Sequence, residues 1–334
     1  MAATMKDLAI ETGLSLRVIS KYFNGKPLRA ANREKIEKAI IKCGYEINET
    51  ARSLKTQKSY MVGVILPRLK NTYFTMITEI VQAKLSEAGY GTVVMCNSND
   101  RAKQDGSIQF LLSKRVDAML IVPADTSGRS FENAKKRNIP VVLLDKYIPD
   151  DYCDAIVINN REICRAAMKK LLGYGHTKIA VIVGNEGMYT ADDRLAGCKA
   201  AFGDAGLPLS DDLITRTELR IPIVAEKVTE LLKARKDITA IFASNYESML
   251  GSIIALNRLN LSVPDDISLF GFDNLEFVDI VRPRLHIVAQ PVQKIGEAAA
   301  DILLKRLRGE MTGEGKMQVF DAEIMDGASI KDLR

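Results

Sequence analysis

The chain has no tryptophan and only two histidines, His176 and His286, neither of them near a second histidine or a cysteine in sequence. Zinc sites draw on closely spaced His and Cys ligands, so metal chemistry is not expected. The five cysteines, Cys43, Cys96, Cys153, Cys164 and Cys198, are odd in number, widely spaced and free of any C-x-x-C pair. They read as reduced core or boundary residues, not a disulfide framework. No apolar run reaches the roughly 18 residues of a membrane span. Met1 opens onto a polar helix without an apolar signal stretch, so a soluble cytoplasmic protein is expected. Cofactor signatures are missing as well. No GxxxxGK[ST] loop occurs, and Gly173-Tyr174-Gly175 lacks a third glycine and precedes an apolar run instead of following one. Asp192-Asp193, Asp211-Asp212 and Asp265-Asp266 are adjacent pairs whose side chains point apart on a helix or strand, so they cannot flank one reacting bond. Catalytic residues, metal ligands and cofactors are therefore not expected.

What is present is unevenly distributed. Residues 1 to 60 hold 12 Lys and Arg against 6 Asp and Glu, whereas the whole chain of 334 residues holds 47 against 42. The entire positive excess thus sits in the first fifth of the chain. Binding to a phosphate backbone needs such a local concentration, while solubility alone would spread it.

The same region is patterned as a small three-helix unit. Thr4 with Asp7 forms a capping-box pattern, Gly13 breaks the chain, and Ser15 can cap a second helix. Leu8, Ile19 and Phe23 recur at helical spacing and can meet Ile36 and Ile40 of a third helix expected from about Arg33 to Cys43, ending at Gly44. Leu16, Arg17, Ser20 and Lys21 are left off the core face of the second helix, one turn apart in pairs. A short helix that is basic outside and apolar inside fits a major groove, although an ordinary solvated bundle shares that pattern. Asn48 can cap a further helix of about seven residues, too short to be stable alone in water.

MKDLAIETGLSLRVISKYFNGKP, followed by REKIEKAIIKCGYEINETARSLKTQKSYMVGVILP, resembles the DNA-binding head and hinge of the lactose repressor family of bacterial transcription regulators. The resemblance continues to Pro291. It implies a helix-turn-helix domain over 1–47, a hinge helix and linker over 48–60, and an effector-binding and dimerisation core over 61–334. By resemblance, Leu16 and Arg17 read base edges, Ser20 and Lys21 contact base or phosphate, and Asn24 completes the recognition segment. Leu54, between Arg52 and Lys55, matches the apolar wedge that enters the minor groove. The chain departs from the family at Val18, Lys21 and Arg29, which stand where Thr, Arg and a capping Ser are usual. Lys21 cannot offer a guanine the bidentate fork of arginine, so an operator of unusual sequence is expected.

From Met61 onward, apolar strand-like runs alternate with helix-length segments: 61–67, 92–96, 118–123 and 140–145, then again 178–184, 213–219, 239–244 and 267–273. Such runs suit parallel strands buried on both faces. Two sets imply two doubly wound parallel-sheet lobes, connected near Asn160, Gln290 and the C-terminal stretch. This α/β core resembles the periplasmic binding proteins, with a first lobe of about 61–160 plus 291–325 and a second of about 161–290. Ligands of open parallel sheets sit beyond the carboxyl ends of the strands, which selects Arg68–Phe74, Asn97-Ser98, Pro123-Ala124, Asp145, Asn185–Arg194, Glu218, Ser244–Tyr246 and Asp273.

Within those spans, the resemblance implies that Tyr73 and Phe74 pack on an effector, that Asn97 and Asp145 contact it from the first lobe, and that Arg194, Asn245, Asp273 and Gln290 contact it from the second lobe and hinge. Aromatic faces and planar polar groups suit a sugar-like ligand. Arg68, Asn159 and Tyr246 each replace a carboxylate usual in the family, so Arg68 and Arg194 are expected to grip an anionic sugar derivative. The expected function is a homodimeric repressor on a pseudo-palindromic operator in double-stranded DNA, controlled by that effector. A solute-binding protein on the same scaffold lacks a use for the basic head, and an enzyme lacks a convergent acid/base set.

Overall fold

The computed structural model describes residues 3–23, 27–45, 53, 56–124, 127–149, 152–273 and 280–334. They fall into two compact units, Met1–Ser59 and Tyr60–Arg334. Asn24, Arg52, Leu54 and Lys55, and most of the expected hinge helix, lie outside the described residues.

The first unit contains α1 (Met5–Thr12), α2 (Leu16–Phe23) and α3 (Ala30–Cys43). The capping box is formed: Asp7 N–H donates to Thr4 Oγ1 at 3.4 Å, and Thr4 N–H donates to Asp7 Oδ2 at 2.8 Å. Gly13 takes φ 66°, a left-handed turn that a side chain would strain, and so ends α1. Leu8, Ile19 and Ile36 are fully buried, with Ala39 and Tyr45 beside them and Phe23 and Ile40 packed around. One expectation is corrected: α3 begins at Ala30, not Arg33. The Arg29 carbonyl accepts from the amides of Asn32 and Arg33 at 2.9 and 3.1 Å, so the first turn closes without a side-chain cap.

The second unit opens with the first lobe. Its strands are β1 (Met61–Leu66), β2 (Gly91–Cys96), β3 (Ala118–Ile121), β4 (Val141–Leu144) and β5 (Asp154–Ile158), with helices α4 (Thr72–Glu87), α5 (Arg101–Ser113) and α6 (Glu132–Lys136) between them. The second lobe follows with α7 (Asn160–Gly173), β6 (Ile179–Val183), α8 (Tyr189–Asp204), β7 (Ile214–Arg216), α9 (Ile221–Ala234), β8 (Ala240–Ala243), α10 (Tyr246–Arg258), β9 (Ser268–Phe272) and β10 (His286–Ala289). The chain then returns through α11 (Val292–Arg308) and β11 (Met317–Phe320) to the first lobe, and finishes with β12 (Glu323–Met325). The sheets run β11-β5-β4-β3-β1-β2 and β12-β10-β9-β8-β6-β7, six strands each. Every recorded pair is parallel except β10 with β12.

Two differences from the sequence reading have physical reasons. β5 was hidden because it begins on Asp154, which is 1% exposed; Arg306 of α11 neutralises it with two bonds at 2.8 and 2.9 Å. The first lobe also does not extend to Met325. β12 pairs with β10 of the second sheet, because the chain crosses lobes once more between Phe320 and Glu323. Asn159 organises that crossing. Its amide nitrogen donates to Asp321 at 2.9 Å and its oxygen accepts from Ala322 N–H at 2.9 Å. Aspartate, usual here in the family, would set two carboxylates against each other.

Beyond β12 the chain becomes a strap over the second lobe, on the side where its strands begin. Ala328 N–H donates to Arg284, Ser329 Oγ donates to the Leu269 carbonyl and accepts from His286 N–H, and Leu333 N–H donates to Tyr174. His176, 1% exposed, holds the strap: Nε2 lies 3.0 Å from the Lys331 carbonyl and therefore donates, which leaves Nδ1 to accept from Thr239 Oγ1 at 2.9 Å. Burial lowers the pKa of His176 below its ordinary 6.5, against the pull of the Lys331 carbonyl and Asp332. As pH falls through that ordinary value the unfolded chain takes up the proton first, so stability held above it is lost on acidification. His176→Ala should cost on the order of 2–4 kcal/mol at pH 7.5 by denaturant unfolding. That deficit should narrow at pH 5.5, where the native histidine's own advantage has fallen.

Candidate functional sites

On the head, α2 presents Leu16, 47% exposed, with Arg17 and Lys21 also exposed and Ser20 half-buried, while Ile19 is fully buried. The α2 face read from periodicity therefore exists: one apolar and two cationic side chains project beside a hydroxyl from a helix anchored by Ile19.

The second unit contains a cleft between its lobes, at the carboxyl ends of the strands of both sheets. Its volume is about 70 Å³, room for about five waters at the roughly 10–15 Å³ that each requires. From the first lobe, the β1–α4 loop supplies Arg68 and Asn71, and the first turn of α4 supplies Tyr73 and Phe74. Asn71 caps that helix through Phe74 N–H at 3.4 Å, which sets the two aromatic side chains on the cleft wall, ring centroids 5.0 Å apart. Just past β4 come Asp145 and Lys146. Asp145 adopts φ 65°, a left-handed conformation that short polar side chains tolerate. The second lobe supplies Thr190 and Arg194 from α8, Ser244, Asn245 and Glu247 from the start of α10, Asp273 after β9, and Gln290 at the crossing.

Arg194 is the centre of this wall. Its Nε donates to Asn160 Oδ1 at 2.7 Å and its Nη1 to the Ser244 carbonyl at 2.6 Å; the guanidinium lies 3.9 Å from the Phe272 ring centroid. Its Nη2 sits 3.8 Å from Asp145 Oδ1 across the lobes. Asp273 accepts from Tyr246 N–H at 3.0 Å and from Gln290 Nε2. That leaves Gln290 Oε1, in a side chain 3% exposed, as a buried acceptor without a partner. Burial raises the pKa of Asp273 and of Glu247, and lifts that of Asp145 to about 6 against the pull of Arg194 and Lys146, with Asp273 adding to the rise.

Eight of the nine expected ligand positions line the cleft: Arg68, Tyr73, Phe74, Asp145, Arg194, Asn245, Asp273 and Gln290. Asn97 is the correction. It is fully buried, its amide donating to the Val122 carbonyl at 2.9 Å and its oxygen accepting from Asn99 N–H at 2.9 Å, so it shapes the loop beneath the cleft and does not line it. The charge expectation changes as well. Arg68, Lys146 and Arg194 face Asp145, Glu247 and Asp273, so the cleft is not poor in carboxylates, and Arg194 is already committed to protein partners. Asn71, Thr190 and Ser244 lay inside the strand-end spans without being singled out, whereas Lys146 and Glu247 lay one residue beyond them. The adjacent acid pairs serve structure: Asp192 bonds Gly187 N–H and Arg216, Asp212 bonds Arg235, and Asp266 bonds Ser262 N–H.

Residues 59–320 match the family described as periplasmic binding proteins and sugar binding domain of LacI family. The chain belongs to the LacI family. Among similar LacI-family proteins, the transcriptional repressor PurR of Vibrio parahaemolyticus is 31% identical over 339 residues, covering 99% of each chain. Catabolite control protein A of Priestia megaterium is 28% identical, covering 96% of this chain and 97% of its own. The crystal structure of the lac repressor dimer bound to operator and the anti-inducer ONPF shares the fold with a TM-score of 0.85 at 23% identity, over 99% of this chain and all of that one. LacI-family relatives of this kind are transcriptional repressors and not enzymes. Among the described residues, no helix is long and apolar enough to cross a membrane, and no group of three His, Cys, Asp or Glu could hold a metal ion.

The raised pKa of Asp145 makes its sign testable. A carboxylate that protonates near 6 when folded and at 3.8 when free contributes stability below 3.8 that is lost as pH rises through 6. Asp145→Asn, a neutral replacement that tolerates the same backbone, should therefore stabilise the protein at pH 7.5 by on the order of 1–3 kcal/mol. The gain should shrink at pH 4.5 in thermal unfolding; an unchanged Tm at pH 7.5 would mean that Arg194 already compensates the buried charge.

Proposed function

We propose that the chain is a transcriptional repressor controlled by a small molecule, acting in the cytoplasm as a homodimer on a pseudo-palindromic operator. The observation that carries this reading is the pairing, in one chain, of a helix presenting Leu16, Arg17 and Lys21 with a polar interlobe cleft that contains an unpartnered buried acceptor, Gln290 Oε1. Leu16 and Arg17 read base edges, Ser20, Lys21 and Asn24 add base or phosphate contacts, and Leu54 wedges into the minor groove between Arg52 and Lys55. Similarity to PurR along 99% of both chains supports the repressor reading.

The effector is a sugar-sized polyol that carries one anionic group. Asp145 and Gln290 Oε1 call for hydroxyl donors at the hinge end, while Tyr73 and Phe74 supply apolar faces for C–H groups. Arg68 at the mouth, whose only recorded hydrogen bond is a long 3.5 Å contact to the Leu219 carbonyl, is the cation with capacity left for an anion. A volume near 70 Å³ suits a single ring.

Removal of residues 1 to 60 should abolish specific duplex binding while leaving effector-induced thermal stabilisation in place. Gel shifts at two salt concentrations, paired with a thermal-shift screen of sugars, sugar acids and sugar phosphates, check both halves. Retention of duplex affinity by the truncated protein would overturn the repressor reading, and stabilisation by neutral sugars alone would overturn the anionic one.

A further inference from the structure

Across the mouth of the cleft the lobes are joined by side chains that no ligand has displaced. Asn71 Nδ2 of the first lobe donates to Glu247 Oε1 of the second at 2.8 Å. The other oxygen, Oε2, accepts from Asn245 Nδ2 at 2.7 Å, and Arg68 Nη1 reaches the Leu219 carbonyl at 3.5 Å. Glu247 is half-buried, lines the same cleft as Arg68, and feels the positive charge of Arg68 directly.

We propose that Glu247 is the specificity-determining gate of the cleft: its carboxylate occupies the subsite of an anionic group in the empty protein, neutralising Arg68, and only a ligand whose own anion displaces it is bound with Arg68 engaged. The inference rests on the anionic-effector reading above. Its physical basis is that one cation at a partly buried mouth is satisfied by one carboxylate at a time. A neutral ligand leaves the Glu247–Asn71 bond in place and gains nothing from Arg68. An anionic ligand exchanges one charge-assisted contact for another and frees Glu247 toward solvent, so the cleft filters by charge without holding a permanent excess of positive charge. The first turn of α10 also contains Glu247, where a carboxylate favours the helix N-terminus. That structural role would not involve Arg68.

The gate is tested by the reactivity of Arg68 in the full-length protein, measured by mass spectrometry after limited phenylglyoxal modification, with the buried Arg306–Asp154 pair as internal reference. Glu247→Gln keeps the size of the side chain and an acceptor for Asn71 but removes the charge; Asn71 itself is left intact because it caps α4. The variant should raise the modification rate of Arg68 about threefold, the scale of one partly exposed ion pair. Equal rates in the two proteins would overturn the gate. Protection is a separate arm. Glucose 6-phosphate or gluconate should protect Arg68, and more strongly in Glu247→Gln, whereas glucose should not. Protection by the anions that is the same in both proteins would overturn the gate and leave the anionic reading standing. A faster rate in the variant with no anion protecting either protein would support the gate and count against the anionic reading.

Discussion

A buried guanidinium governs the core of this protein. Arg194 is 5% exposed, and a charge so placed is tolerated only when its donors are met. The structure meets them with the Asn160 side chain at the first lobe crossing, the Ser244 carbonyl at the end of β8, the face of Phe272 at the end of β9, and the Asp145 carboxylate of the opposite lobe. Each partner sits where a strand or a crossing ends, so one side chain fixes the relative positions of four chain segments around the cleft. The neighbouring carboxylates then share a limited supply of positive charge, and burial outweighs attraction in the balance that lifts Asp145, Asp273 and Glu247 toward protonation.

Much of the architecture was legible because parallel strands buried on both faces leave uninterrupted apolar runs. Ile179–Val183 and Ala240–Ala243 are fully buried strands of this kind. The strands that escaped reading contain or border polar residues whose satisfaction is tertiary. Asp154 opens β5 only because Arg306, distant in sequence, neutralises it, and His286 opens β10 beside Ser329. Edge strand β11 is largely exposed and carries no apolar run. Asn97 shows the limit of transferring a role by position: a strand-end asparagine has two ways to be satisfied, by ligand or by backbone, and here the Val122 carbonyl and Asn99 amide meet it. Lys146 and Glu247 were missed because a strand-end rule selects loops, whereas which side chain of a loop turns inward depends on backbone angles such as φ 65° at Asp145.

The head is legible for a different reason. In so small a unit the core is a handful of side chains, and Leu8, Ile19 and Ile36 must all point inward for any core to exist. That constraint leaves Leu16, Arg17 and Lys21 outside almost by elimination. The start of α3 was misplaced because its capping residue, Arg29, offers no side-chain signal, and the turn is closed by the backbone alone.

The geometry of the cleft also indicates how little free energy separates a closed from an open arrangement of its lobes. The lobes share the crossings at Asn159–Asn160, Gln290–Pro291 and Asp321–Ala322, and the Asn159 bonds to Asp321 and Ala322 lie at this axis, where an opening rotation moves atoms least. The polar contacts far from the axis, Asn71 with Glu247, Arg68 with Leu219 and Arg194 with Asp145, are the ones that opening breaks. Partly exposed contacts of this kind are worth roughly 0.2–1 kcal/mol each, so together they bias the equilibrium by no more than a few kcal/mol. A ligand that spans Gln290, Asp145 and Arg68 replaces those contacts only in the closed arrangement. Its differential affinity is then of the same size as the bias, and that matching of magnitudes is what a population shift requires.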